Sequence, residues 1–257
     1  MNRLKASCAA LLAAVATQAG AVGGLVDLAV VDRTEGRTLP VHWHEGRAYV
    51  AGKPGNEYQL VLRSRSGEDL LTVASVDGVN VVTGETASPR QSGYVISPWR
   101  TQEIRGWRKD LSRTAAFYFT ALPDSYAART GRPDNVGAIG VAVFRRKPQE
   151  PAPAISQPLS RAPAPCDACG RMQEKSASSD AAPARAAEAP LGTGHGRNET
   201  SYARRVEFER ASSEPAETIV VYYDSARNLV ARGILPAPRV PRPAPNPFPG
   251  FVPDPPA

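Results

Sequence analysis

The chain has 257 residues, among them 25 prolines, 21 glycines, three cysteines and three histidines, with a formal charge of +6. That length admits one or two domains, and the basic excess is too interleaved to form a nucleic-acid footprint: Arg63, Arg65, Arg105, Arg108, Lys109 and Arg113 alternate with Glu68, Asp69, Glu103 and Asp110. No nucleic-acid partner is expected.

Arg3 and Lys5 precede an apolar run over residues 6–16, and Ala19-Gly20-Ala21 then offers the small residues that a signal peptidase needs. The run is shorter than the ~20 apolar residues of a membrane span. Residues 1–21 therefore read as a cleavable secretory signal, cut after Ala21 or, failing that, after Ala19. Cleavage removes Cys8, lowers the charge to +4 and predicts a periplasmic or secreted product with no transmembrane segment.

From 22 to 147 the apolar residues fall in short runs between turn signals, the pattern of an all-β domain. Strands are expected over 25–32, 39–44, 47–51, 58–64, 70–76, 79–82, 93–97, 102–105, 115–121 and 136–145. Glu45-Gly46 and Asp77-Gly78 have the residues of two-residue hairpins, and Ser66-Gly67 is expected to close a third. Tyr58, Leu60 and Leu62 share one face of their strand, and Phe117 and Phe119 one face of theirs. An immunoglobulin-like β-sandwich is the economical reading, held by burial alone because residues 22–165 contain no cysteine.

Beyond it, residues 148–190 are rich in Ala, Pro and Ser with few large apolar side chains, the composition of a disordered linker. Residues 191–235 form a small β block with strands expected over 201–209, 218–224 and 229–235, and with His195 in a Gly-rich turn. A block so short needs another face to pack on, so it is expected to dock on the sandwich, pair with another chain, or stay loosely ordered. Residues 236–257 alternate proline with other residues, which favours extended polyproline II.

The runs at 52–56, 75–81 and 116–133, together with Tyr222-Tyr223-Asp224-Ser225 and Gly233-Ile234-Leu235, resemble a family of exported proteobacterial proteins. The resemblance implies an envelope location and brings with it no catalytic residue.

Candidate chemistry is sparse. His42 and His44, two apart in an expected strand, project from one face as paired imidazoles do around Zn or Cu, with Glu45 adjoining. The plainer reading makes them solvent-facing residues beside a buried Trp43. Cys166 and Cys169 have CxxC spacing, but amid prolines and in an oxidising compartment they read as a local disulfide. Gly192-x-Gly194-x-Gly196 neither follows a strand nor opens a helix, which argues against a dinucleotide site, and no cofactor is expected.

The long connection 122–135 carries Asp124, Tyr126, Arg129, Arg132, Asp134 and Asn135 as candidate binding residues, with a short helix over 124–129. Trp99-Arg100 and Trp107-Arg108 are a second candidate, core or edge packing being the plainer fate of both indoles. The expectation is a non-enzymatic envelope module that binds a protein or glycan partner, with a metal-binding protein using His42 and His44 as the alternative.

Overall fold

A computed structural model describes residues 22–148 and 189–237. The expected signal sequence, Cys166 and Cys169, nearly all of the expected linker and the proline-rich residues beyond Ala237 lie outside them. The described chain is all-β, two seven-stranded sheets stacked as a sandwich. The first sheet contains β1 (Val26–Asp32), β2 (Arg37–Thr38), β5 (Glu57–Ser64), β9 (Thr101–Ile104), β10 (Gly106–Arg108), β11 (Arg113–Ala121) and β13 (Leu191–Thr200). The second contains β3 (Val41–His44), β4 (Arg47–Gly52), β6 (Leu70–Val76), β7 (Val79–Asn80), β8 (Tyr94–Ile96), β12 (Ala138–Arg145) and β14 (Glu217–Ser225). Two short helices, α1 (Tyr126–Arg129) and α2 (Ala226–Ala231), cap the loops. Among the described residues no helix is long and apolar enough to cross a membrane.

Strand periodicity builds the core. In β5 the buried residues are Tyr58, Leu60, Leu62 and Ser64, and in β1 Val26, Leu28, Val30 and Asp32, each alternating with more exposed neighbours. Tyr58 stacks on Phe119 at 4.2 Å between ring centres, and Trp107 meets Phe117 edge-on at 4.8 Å. Positive φ at both Glu45 (48°) and Gly46 (74°), and at both Asp77 (53°) and Gly78 (72°), gives the tight hairpins β3–β4 and β6–β7 their form. The Ser66-Gly67 turn differs from expectation: it joins β5 to β6, which belong to different sheets, and so turns a corner of the sandwich.

The residues after 189 are built into both sheets. β13 pairs with β11 from Arg113↔Thr200 to Ala121↔Leu191. β14 lies between β4 and β12, parallel to the first and antiparallel to the second. The strand expected over 201–209 does not form. That stretch runs as an extended strap from Ser112, whose carbonyl accepts from Ser201 N, to Arg145, whose carbonyl accepts from Ala211 N. On the way Phe208 covers Leu71, Val73, Ala142 and Phe144 on the outer face of the second sheet. Arg204, Arg205, Glu207 and Glu209 leave it too polar for an interior strand. Residues 229–235, also expected as a strand, begin instead within α2: Ser225 caps it by accepting from Asn228 N, and Gly233 (φ 73°) ends it. His195 sits in β13 rather than in a turn.

A buried polar knot fixes the late strands in place. Asp77 Oδ1 accepts from Tyr223 Oη at 2.5 Å and Gly137 N at 2.9 Å, and Oδ2 accepts from Thr193 N at 2.8 Å. The Thr193 hydroxyl also meets the Tyr58 and Tyr223 hydroxyls, each at 2.6 Å. One carboxylate thus joins the β6–β7 hairpin to β12, β13 and β14.

Candidate functional site

The second sheet ends at β3, whose one described partner is β4. Among the described residues no strand pairs with its other edge. Trp43 lies near the end of this strand, opposite Ala48. By parity its indole belongs to the inner face, but at the margin of the sheet nothing covers it, and 64% of it is exposed. The expectation of a buried Trp43 is thus corrected, because strand order rather than alternation decides its fate.

Beside Trp43 opens a cleft of about 370 Å³. Its walls come from the hairpin (Gly46, Arg47, Ala48), from β14 (Glu217 to Tyr222) and from Val22 and Gly23 ahead of β1. The parallel pairing of β4 and β14 sets Tyr222 level with Tyr49. On the outer face the Arg47 guanidinium lies 5.8 Å from the Tyr222 ring centre, and Tyr222 lies 5.5 Å from Tyr49. The Arg232 guanidinium closes the series 5.5 Å from Tyr49. Cations over aromatic faces hold those rings in fixed attitudes. Val220, 39% exposed, adds apolar surface on the same face.

The remaining wall is held by Glu217, which accepts from the amides of Gly24 (2.5 Å), Leu25 (2.8 Å) and Val26 (3.3 Å). That wrap requires Gly23 at φ 128°, where a β-carbon would stand 2.0 Å from the Val26 carbonyl oxygen. With Glu217 engaged by backbone amides, Arg47 is the charged group left to meet a ligand. The cleft offers an exposed indole, a tyrosine and one guanidinium. Among the described residues, Thr218 and Tyr222 supply its hydroxyl side chains and Arg47 and Glu217 its charged ones.

The residues singled out from the sequence are dispersed. His42 and His44 share the outer face of β3, opposite Tyr49 and Arg47, with His44 Nε2 3.9 Å from Glu45 Oε1. Among the described residues no group of three or more His, Cys, Asp or Glu gathers as a metal-ligand set. In the long connection, Tyr126 packs 4.9 Å from Trp107 and 5.3 Å from His195. His195 is held below its ordinary pKa by burial first, then by the charges of Lys109 and Arg129. Arg132 donates to the Gly84 carbonyl at 3.4 Å, and Asn135 lies against Gly78. Asp124 and Asp134 are exposed in two 3-10 turns, Leu122–Asp124 and Pro133–Asn135. The six are therefore dispersed: Tyr126 packs against His195, while Arg129 acts on it through its charge. Of the two Trp-Arg pairs, Trp107 is a core residue, 2% exposed, whereas Trp99 is 67% exposed in a turn at φ 59°, contrary to the packing expected for both.

Fold and cleft describe an all-β sandwich with an exposed indole at the margin of its second sheet. No protein-family model, curated protein or solved structure matches the chain.

Proposed function

We propose that the protein is an exported, non-enzymatic binding module of the bacterial envelope that holds an extended polypeptide along β3 and in the Trp43 cleft. The observation that carries this reading is the exposed indole of Trp43 on β3, an edge strand among the described residues, beside an open cleft. A polypeptide partner that adds its backbone to the β3 edge also meets the Trp43 indole, which stands on that strand. The N-terminal run 1–21 supports the envelope location.

Covering an indole buries roughly 150 Å², worth about 3–4 kcal/mol at about 25 cal/mol per Å². Trp43 has the size and setting of an interface anchor. A photo-crosslinker at the exposed Glu45, used in intact cells, should give a discrete protein adduct that Trp43→Ala and Arg47→Glu each abolish. An adduct indifferent to both substitutions, or none at all, refutes the reading.

A further inference from the structure

We infer that the Trp99 corner of the sandwich, which shares no residue with the Trp43 cleft, seats the protein on a bilayer of anionic lipid. Trp99 is the third residue of a turn, Ser97-Pro98-Trp99-Arg100, closed by Arg100 N donating to the Ser97 carbonyl at 3.1 Å. With proline second and positive φ third, this is a turn whose third position normally falls to glycine, because a β-carbon is strained there. Here φ is 59° and the residue is tryptophan. Glycine would close the same turn without strain, and the indole is 67% exposed, so neither the backbone nor the core gains from it. An indole held out at that position serves a contact outside the two sheets.

The surroundings of the turn are basic. Trp99 N donates to the Ser66 carbonyl at 3.2 Å and Ser64 N to the Arg100 carbonyl at 2.9 Å, which sets the turn against the end of β5, beside Arg63 and Arg65. Arg63, Arg65 and Arg100 are all exposed. Asp27, opposite Arg63 in the β1–β5 register, lies 3.3 Å from Arg65. The next acids along the chain, Glu68 and Asp69, pair one for one with Arg145 and Arg146. The corner thus keeps an excess of two positive charges, and among the described residues Arg63 and Arg100 have no carboxylate in ion-pair contact.

Indole and guanidinium together fit the headgroup layer of a membrane. An indole settles at the boundary between headgroups and acyl chains, where its ring meets apolar surroundings and its N–H stays wet. Guanidinium groups donate paired hydrogen bonds to phosphates. The turn joins β8, of the second sheet, to β9, of the first, so Trp99 stands at an end of the sandwich rather than on a face, where a flat surface can reach it. One indole and a few arginines give reversible, salt-sensitive attachment rather than insertion.

The test uses the chain from Val22 onward, the product of the expected cleavage, which contains both sheets and lacks the apolar run 6–16 that would bind lipid by itself. Trp43→Phe leaves Trp99 as the exposed indole, with the buried Trp107 as a constant background. Vesicles of phosphatidylglycerol and phosphatidylcholine in equal parts should shift Trp99 emission to the blue, and acyl chains brominated near the headgroup should quench it. Vesicles of phosphatidylcholine alone should do neither. Arg63→Gln and Arg100→Gln should each weaken binding about fivefold. Trp99→Gly and Trp99→Asn, both of which accept positive φ, should lose co-sedimentation with the anionic vesicles while melting within about 4 °C of the parent chain. Equal binding to both kinds of vesicle, binding that survives either Trp99 substitution, or no binding at all overturns the inference. So does the same emission shift from free glycerol phosphate or from polygalacturonate, which assigns the corner to a soluble anion or to a glycan.

Discussion

Asp77 is closed off from solvent yet accepts hydrogen bonds from Tyr223, Gly137 and Thr193. Burial raises its carboxyl from 3.8 to about 6, against the opposing pull of those donors. Between these two values the folded chain keeps a proton that the unfolded chain releases. The stability that this side chain contributes is therefore fully present below about pH 4 and lost as pH rises through about 6, a change of up to about 3 kcal/mol at ~1.4 kcal/mol per unit. Asp77→Asn removes the titration. The difference in unfolding free energy between the native chain and this variant, from urea titrations across about pH 4 to 7, should shrink by about 3 kcal/mol toward the upper end. A constant difference refutes the assignment. Tyr223→Phe takes one partner each from Asp77 and Thr193 inside the same knot. It should lower stability by about 1–3 kcal/mol in the same urea titrations.

Among the strands, the close approach of β10 to β11 depends on a single residue. At Gly106 a β-carbon would stand 1.8 Å from the Ala115 carbonyl oxygen, a backbone atom that cannot step aside without breaking the β10–β11 pairing. Gly106→Ala should cost about 3 kcal/mol in thermal or urea unfolding, at the upper end for overpacked sites. Retention of native stability would show that the two strands do not approach as closely as described. The glycines of β13 act similarly along one face. Gly194 lies under the Tyr118 ring, and Gly192 against Ser125 and Val136. Their period of two is a strand signal legible in Gly192-x-Gly194-x-Gly196, although glycine's turn tendency obscured it. The helix α2 was legible too, from Ser225 as a cap and Gly233 as a stop, but the β-rich run ahead of it, Ile219 to Tyr223, favoured reading strands onward.

For the molecule as a whole, β14 is the decisive strand. Because it lies between β4 and β12, the second sheet is complete only when residues beyond 189 are in place. On the opposite sheet Arg197 and Glu199 of β13 form an ionic network with Glu57 and Arg33, at 2.7–3.4 Å. The Arg197 guanidinium accordingly holds the Glu57 carboxyl below its ordinary range. A protease site engineered between 149 and 188, once cut, should leave both pieces co-eluting with unchanged circular dichroism. They should separate only in denaturant, and the 22–148 piece expressed alone should lack native β structure. Release of a folded 22–148 piece refutes this dependence.

The sequence by itself determined what local chemistry decides: the all-β class, the alternation of Tyr58, Leu60 and Leu62, the shared face of Phe117 and Phe119, and the hairpins at Glu45-Gly46 and Asp77-Gly78. Each follows from side-chain period and positive φ, properties of a few adjacent residues. Only the tertiary structure decided which strands neighbour which. Pairings such as Tyr222↔Tyr49 and His195↔Phe117 join residues far apart in the chain, and nothing local specifies them. Strand order set β3 at the margin and so exposed Trp43, and it sent β14 into the middle of a sheet. The Trp43 cleft arises from that long-range order, while the candidates of the long connection, continuous in sequence, were dispersed by it.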